Sequence, residues 1–437
     1  MSEALIRRVM EELGDPSGAG PTAALTLPAR GTDGQVARRK VFYIPGYDPF
    51  HPRRYRELYR KEGAIQAMLC GYSLGLAPRQ GGGRYGWHVS AQVGTHRTET
   101  DVEVLVWSDL VRESMDQGIL ATYLQLLRTA WIYLSSGALF RLMRLRKGPV
   151  IAALYPVAML LGQLALAAVP AILTTRAGVA LLPAPMGFLL GLLPGLILAW
   201  ALMRWFKAQD HRLFAQYLMH DYAFTAALRG ANPPVLEARM AEFRRAIAAA
   251  LDEPVEEVLV VGHSSGAHLA VSILADLLRS GLPKNHPELS FLSLGQVVPM
   301  VSFLPEASRL RADLHDLSRS EAVTWIDVTA PGDGCAFALC DPVAVSGVAP
   351  ADKRWPLVLS AAFTQTLSAQ RWRALRWRFF RLHFQYLCAF DRLPGTPGDY
   401  DYFRITAGPQ TLAARLGGRA PSRSRIDVAA SGYTSRS

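Results

Sequence analysis

A serine framed by glycines is the clearest chemistry in this chain. In Gly262-His263-Ser264-Ser265-Gly266 a glycine stands two positions to either side of Ser264. A serine hydroxyl becomes a nucleophile when a base takes its proton and fixed donors receive the charge that builds on the attacked carbonyl. The four residues before the motif, Val258, Leu259, Val260 and Val261, read as a buried parallel strand, and the small residues after it read as a helix. Strand, sharp turn and helix in that order put Ser264 at the tip, where a Cβ at 262 or 266 would crowd neighbouring backbone. The amide of Ser265, at the N-terminus of the new helix, then faces a developing oxyanion. Two glycines and a serine at these spacings arise by chance about 0.15 times in a chain this long, so the flanking strand and helix carry the argument.

In that setting the segment resembles the nucleophile elbow of the α/β-hydrolase superfamily, in its lipases, esterases and thioesterases. The resemblance covers roughly residues 39–411, interrupted by an insertion, and speaks to fold more than to substrate. It implies an α/β fold, an α/β-hydrolase-like mostly parallel sheet with helices on both faces. It also implies a triad in the chain order Ser, Asp or Glu, His. After Gly266, residues 291–298 and 322–328 read as the next strands, and the loop after the second holds Pro331-Gly332-Asp333-Gly334. Asp333 is therefore the implied acid. Asp341, before Pro342, is the second choice, and Asp327 lies within the strand. His383 is the one histidine downstream of these acids and the implied base; His263, His268, His286 and His315 precede them. The family's second oxyanion donor comes from the loop after an early strand. Here Pro45-Gly46-Tyr47 follows the strand at 41–44, where the family commonly has His-Gly, and the amide of Tyr47 is the expected donor beside that of Ser265. The implied reaction is acyl transfer through an acyl-enzyme that water releases, with no metal and no organic cofactor.

Other elements must bring these residues together. The chain of 437 residues reads as one catalytic domain with a membrane insert; half its residues are hydrophobic and its mean hydropathy is +0.13. The apolar excess is concentrated in residues 149–175 and 177–203, which carry no charge and are separated by Arg176. Each run exceeds the ~20 residues that cross a ~30 Å hydrocarbon core, so a transmembrane helical hairpin is expected, kinked at Pro156, Pro170, Pro183, Pro185 and Pro194. Candidate catalytic segments on both sides of the hairpin require an even number of crossings. Arg141, Arg144, Arg146 and Lys147 precede it and Arg204, Lys207 and Arg212 follow it, which places the enzyme on the cytoplasmic side. No signal-peptide pattern opens the sequence, in keeping with that topology. Abundant arginine and alanine point to a bacterial source, hence an integral protein of the bacterial inner membrane.

The expected organisation is an N-terminal helix with Leu5, Val9 and Leu13 on one side and a flexible linker (1–38), then the first part of the hydrolase domain (39–145). The hairpin (146–207), the second part (208–416) and a disordered tail (417–437) follow. Residues 102–107 read as a strand with Ser108 or Asp109 as helix cap, residues 110–145 as largely helical, and residues 210–229 and 234–251 as helices. The net charge of +11 suits anionic lipid of the bilayer, and no nucleic-acid motif accompanies it. Cys70, Cys335, Cys340 and Cys388 lack metal-ligand spacing and read as reduced thiols. The expected substrate is an ester or thioester, including a lipid reached from the membrane. An acyltransferase would use the same triad, and a membrane scaffold retaining the fold would use none of it. Uncharged spans argue against a transport pathway.

Overall fold

A computed structural model describes residues 34–437 except 80–82, 116–117, 184, 393–394 and 397–398. The helix expected at 2–14 and nearly all of the linker lie outside the described residues. The strands are β1 (Arg38–Ile44), β2 (Ser73–Pro78), β3 (Gly86–Val93), β4 (His96–Val104), β5 (Glu257–His263), β6 (Glu288–Leu294), β7 (Val323–Thr329) and β8 (Leu357–Ser360). They form one sheet in the order β2-β3-β4-β1-β5-β6-β7-β8. From β4 to β8 every pairing is parallel, while β2 and β3 join antiparallel at one edge. The result is a mixed, mostly parallel α/β sheet. Strands from both sides of the long apolar segment share it.

The helices that bear on the site are α1 (Arg53–Cys70), α2 (Ser108–Met115), α3 (Ile119–Ser135), α4 (Ala138–Leu145), α5 (Lys147–Leu181), α6 (Met186–Ala208), α7 (Ala215–Ala226), α8 (Pro234–Ala250), α9 (Ser265–Arg279), α10 (Ser308–Ser318) and α11 (Ala369–Leu375). The unbroken apolar runs of β1 and β5 follow from cover on both faces. Val41, Tyr43, Leu259 and Val261 pack with Tyr55 and Tyr59 of α1. Phe42, Ile44, Val258 and Val260 pack with Leu236 and Phe243 of α8 and Leu269 and Ile273 of α9. A buried ion pair stitches the same strands: Arg39 Nε lies 2.5 Å from Glu257 Oε2, and Glu257 Oε1 accepts from the Ser290 hydroxyl and the Leu412 amide. Because β1 takes β4 on one side and β5 on the other, the crevice beyond their C-terminal ends is a topological switch point, the usual ligand position in open α/β sheets.

Several expectations need correction. The strand expected at 102–107 ends at Val104, and β2, β3 and β8 were not anticipated. The helical stretch 110–145 breaks into α2, α3 and α4, with Gly137 in the left-handed region (φ 69) before α4. The helix expected at 210–229 is interrupted at Phe214, whose φ is 55. Arg176 does not mark the turn of the hairpin but lies inside α5, which runs on to Leu181; Pro183 stands just past its end, where one arginine had not stopped it. The tail 417–437 is packed rather than disordered. Ile426 donates to Leu339 O and accepts from the Asp341 amide, Ala430 donates to Val345 O, and Arg311 Nε donates to Ser435 O. Its Gly, Ser and Arg content hides two apolar anchors, Ile426 and Ala430, that join a core cluster.

Helices α5 and α6 are long and apolar enough to cross a membrane, with their most apolar windows only 17% and 22% buried. A soluble core helix would be covered instead. Along α6, Gly187, Gly191 and Gly195 face α5 so closely that a Cβ would stand 2.4 Å from Gly178 O, 2.4 Å from Thr174 O and 2.5 Å from Ala171 Cα. Small residues at four-residue spacing permit this approach of two apolar helices.

Candidate active site

Ser264 leaves the end of β5 with φ 56 and ψ −123, a conformation that costs a residue with a side chain roughly 1–3 kcal/mol. Its amide donates to Leu294 O at 2.9 Å, and α9 begins at the next residue. The flanking glycines are needed for contact reasons. A Cβ on Gly262 would lie 2.8 Å from Ala267 Cα, and one on Gly266 would lie 2.2 Å from Ile44 O. The loop after β1 reaches the same point, since a Cβ on Gly46 would sit 2.9 Å from Ser264 Cβ and 3.4 Å from its Oγ. Trp107 Nε1 holds that loop by donating to Pro45 O, and the Tyr217 hydroxyl donates to Tyr47 O. Tyr47 and Ser265, the expected oxyanion donors, therefore flank Ser264 from two directions, and both line one cleft with it.

Asp333 follows β7 in a turn closed by its own amide on Ala330 O. It is 2% exposed and fully engaged: Oδ1 accepts from the Cys335 amide at 2.9 Å, while Oδ2 meets His383 Nδ1 at 2.7 Å and the Tyr386 hydroxyl at 3.0 Å. Burial alone would raise its carboxyl, yet the His383 charge and these hydrogen bonds hold it below the usual carboxylate range. His383 ends the short helix Phe379–His383, and its ring lies over Gly295, where a Cβ would approach Cε1 to 3.0 Å. The His263 ring sits 4.9 Å away, with its Nε2 donating to His383 O. Burial and the His383 charge pull His263 down to about 3, so it stays neutral. His383 Nε2 is buried and has no hydrogen-bond partner among the described residues, and His383 lines the cleft with Ser264. The Ser264 to His383 hydrogen bond is thus not closed in this structure; such bonds often tighten only when a substrate is present.

The other acids are placed differently. Asp327 is buried within β7, accepting from the Ser293 hydroxyl at 2.6 Å, and burial pushes it up to about 8. Asp341 caps the helix Pro342–Val345 and pairs with Lys353. Neither meets His383. Tyr386 was not foreseen, although its place three residues after His383 puts both on one turn of chain; Asp221 and His268 in the cleft wall were likewise missed as site residues.

The cleft holds about 100 Å³ of free space. Its wall includes Pro149 and Ala152 of α5, Phe380, Phe384 and Met300, so the first turns of the long apolar hairpin border the serine. Asp333, Cys335 and His383 also bring potential metal ligands within 4.8 Å of one another. Tetrahedral ligands at ~2.1 Å from an ion stand about 3.4 Å apart, whereas Asp333 Oδ2 and His383 Nδ1 are 2.7 Å apart. Burial also raises the Cys335 thiol well above its ordinary value, disfavouring the thiolate a metal requires. Hydrogen bonding fits this cluster better than coordination. No family model, curated protein or solved structure matches this chain, so the reading of the cleft rests on its own geometry.

Proposed function

We propose that this protein is a membrane-anchored serine hydrolase of α/β-hydrolase type that cleaves an ester or thioester. The observation that carries the reading is a strained Ser264 at a strand-to-helix turn, sharing a cleft with a histidine whose far nitrogen is locked on a buried carboxylate. In the reaction His383 Nε2 takes the Ser264 proton as Oγ bonds the acyl carbon. Asp333 fixes the ring through Nδ1 and stabilises the imidazolium. The amides of Ser265 and Tyr47 receive the oxyanion. Collapse breaks the bond to the alcohol or thiol, which leaves with the proton from His383; water, deprotonated by the same ring, then frees the acid and restores Ser264.

The hairpin anchors this chemistry to a lipid bilayer. Arg141, Arg144, Arg146 and Lys147 before α5 and Arg204, Lys207 and Arg212 after α6 fit a cytoplasmic catalytic domain on a bacterial inner membrane. Arg373, Arg376 and Arg378 sit beside exposed Trp377, Phe379 and Phe380, a composition suited to an anionic lipid surface next to the cleft. Pro149 and Ala152 in the cleft wall support an acyl group arriving from the membrane.

The test is labelling of the membrane-embedded protein by a fluorophosphonate, beside Ser264→Ala and His383→Ala. Labelling of the wild type lost in both variants is the expected result. A folded wild type that resists the probe overturns the reading and leaves a non-catalytic membrane scaffold.

A further inference from the structure

The cleft continues past Ser264 into a smaller adjoining cavity. Tyr47, Asp221, Thr225, Ser265, His268 and Val301 line both spaces and form the neck between them. At this neck Asp221, on α7, makes no carboxylate hydrogen bond and no ion pair among the described residues; the His383 charge acts on it from across the cleft, and it acts in turn on the Tyr217 and Tyr222 hydroxyls. Desolvation raises its carboxyl to about 7. The chain carries a net charge of +11, yet among the described residues neither lysine nor arginine lines the cleft. The other acid there, Asp48, is already satisfied by the Tyr55 hydroxyl, the Phe50 amide and Arg54.

Of the histidines in the cleft, His383 is already paired with Asp333 through Nδ1 at 2.7 Å. Burial pulls His268 down to about 4 and His263 to about 3, so both are neutral near pH 7. His268 is 9% exposed and its Nδ1 has no hydrogen-bond partner among the described residues, a second polar atom at the neck in that position. Around Asp221 stand the rings of Tyr47, Tyr217 and Tyr222 in the cleft and Phe224 in the adjoining cavity. An acid with no cationic partner of its own, among aromatic rings and in a wall without lysine or arginine among the described residues, matches a cation rather than a neutral or anionic group. A hydroxyl would satisfy the hydrogen bonding of the protonated acid, whereas a cation draws it into the carboxylate form and compensates that charge.

We propose that Asp221 anchors a subsite for a positively charged nitrogen, so that the ester cleaved at Ser264 carries an ammonium group in its acyl or alcohol part. The word ester rests on the hydrolase reading; the cation subsite does not.

The experiment uses the full chain in nanodiscs, with choline and its uncharged isostere 3,3-dimethylbutan-1-ol as probes. Thermal shift is read for the wild type, Asp221→Asn and Ser264→Ala, and protection against fluorophosphonate labelling for the wild type and Asp221→Asn. Choline is expected to raise the melting temperature and slow labelling at concentrations at least tenfold below those needed for the isostere. Asp221→Asn should lose at least tenfold of the choline affinity while keeping the weak binding of the isostere, which reports an intact cleft. Ser264→Ala should keep the choline shift. Equal effects of the two compounds, no effect of choline, or an Asp221→Asn variant that binds choline like the wild type would each overturn the subsite. A wild type that binds choline through Asp221 yet resists the fluorophosphonate keeps the subsite and removes the hydrolase.

Discussion

Replacing Asp333 with asparagine removes one negative charge and changes almost no volume. The carboxylate is 2% exposed and its Oδ2 lies 2.7 Å from His383 Nδ1, so solvent screens the pair weakly. With charge centres ~4 Å apart and an effective dielectric constant of ~20, the carboxylate favours the imidazolium by about 4 kcal/mol. That is roughly a factor of 10³ in the step where His383 takes the Ser264 proton. An asparagine Oδ1 can still accept from the Cys335 amide, so the turn at 331–335 should hold. The assay is the second-order rate of fluorophosphonate labelling at pH 7.5, with the melting temperature as a control for folding. Asp333→Asn should label about 10³-fold more slowly and melt within a few degrees of the wild type. A folded variant that labels within tenfold of the wild type would refute the assignment of Asp333 as the orienting acid.

Asp327 gives a stability prediction with a definite sign. Its native carboxyl is raised to about 8 against an ordinary value near 4, so between those limits the native state holds a proton that the unfolded state has lost. Stability therefore falls by about 1.4 kcal/mol per pH unit across that window, and Asp327→Asn should flatten the decline in melting temperature between pH 5 and 8. Glu257→Gln removes the charge facing fully buried Arg39 and should cost about 3–5 kcal/mol, read by denaturant midpoint; a loss under 1 kcal/mol would contradict the role given to this pair. Gly266→Ala drives a methyl to 2.2 Å from Ile44 O, and overpacking against backbone should destabilise by about 1–3 kcal/mol and abolish labelling. Gly418→Ala, with open space at its Cβ position, should do neither.

What could be read from the sequence was what local pattern dictates. Val258 to Val261 announces a strand covered on both faces, and the glycines around Ser264 announce a turn in which Cβ atoms have no room. The edge hairpin was hidden because β2 is largely exposed and β3 and β4 carry polar cross-strand partners, with His88 between Asp101 and Glu99. β8 spans only four residues, too few for a period to register. The break at Phe214 depends on a left-handed residue that is not glycine, and no composition rule marks it. Asp221 escaped notice for another reason. It lies on a helix entered only after the hairpin, and its meaning comes from which side chains surround it in space.

The hairpin and the acid loop are one mechanical unit. Arg146, just before α5, donates through Nε and Nη2 to Ala338 O, and Gly148 approaches Gly334 closely enough that a Cβ would stand 3.4 Å from its carbonyl oxygen. From the other side, Trp372 of α11 covers Gly332 and Phe379 covers Gly334. The turn that aims Asp333 is therefore clamped between the first turn of a long apolar helix and an arginine-rich segment with exposed aromatic rings. Both clamps are surfaces whose position depends on a lipid environment if α5 and α6 occupy one. On the proposed reading, the contacts that hold the start of the hairpin also hold the turn that carries Asp333, the partner of His383, so the labelling and binding experiments belong in a bilayer.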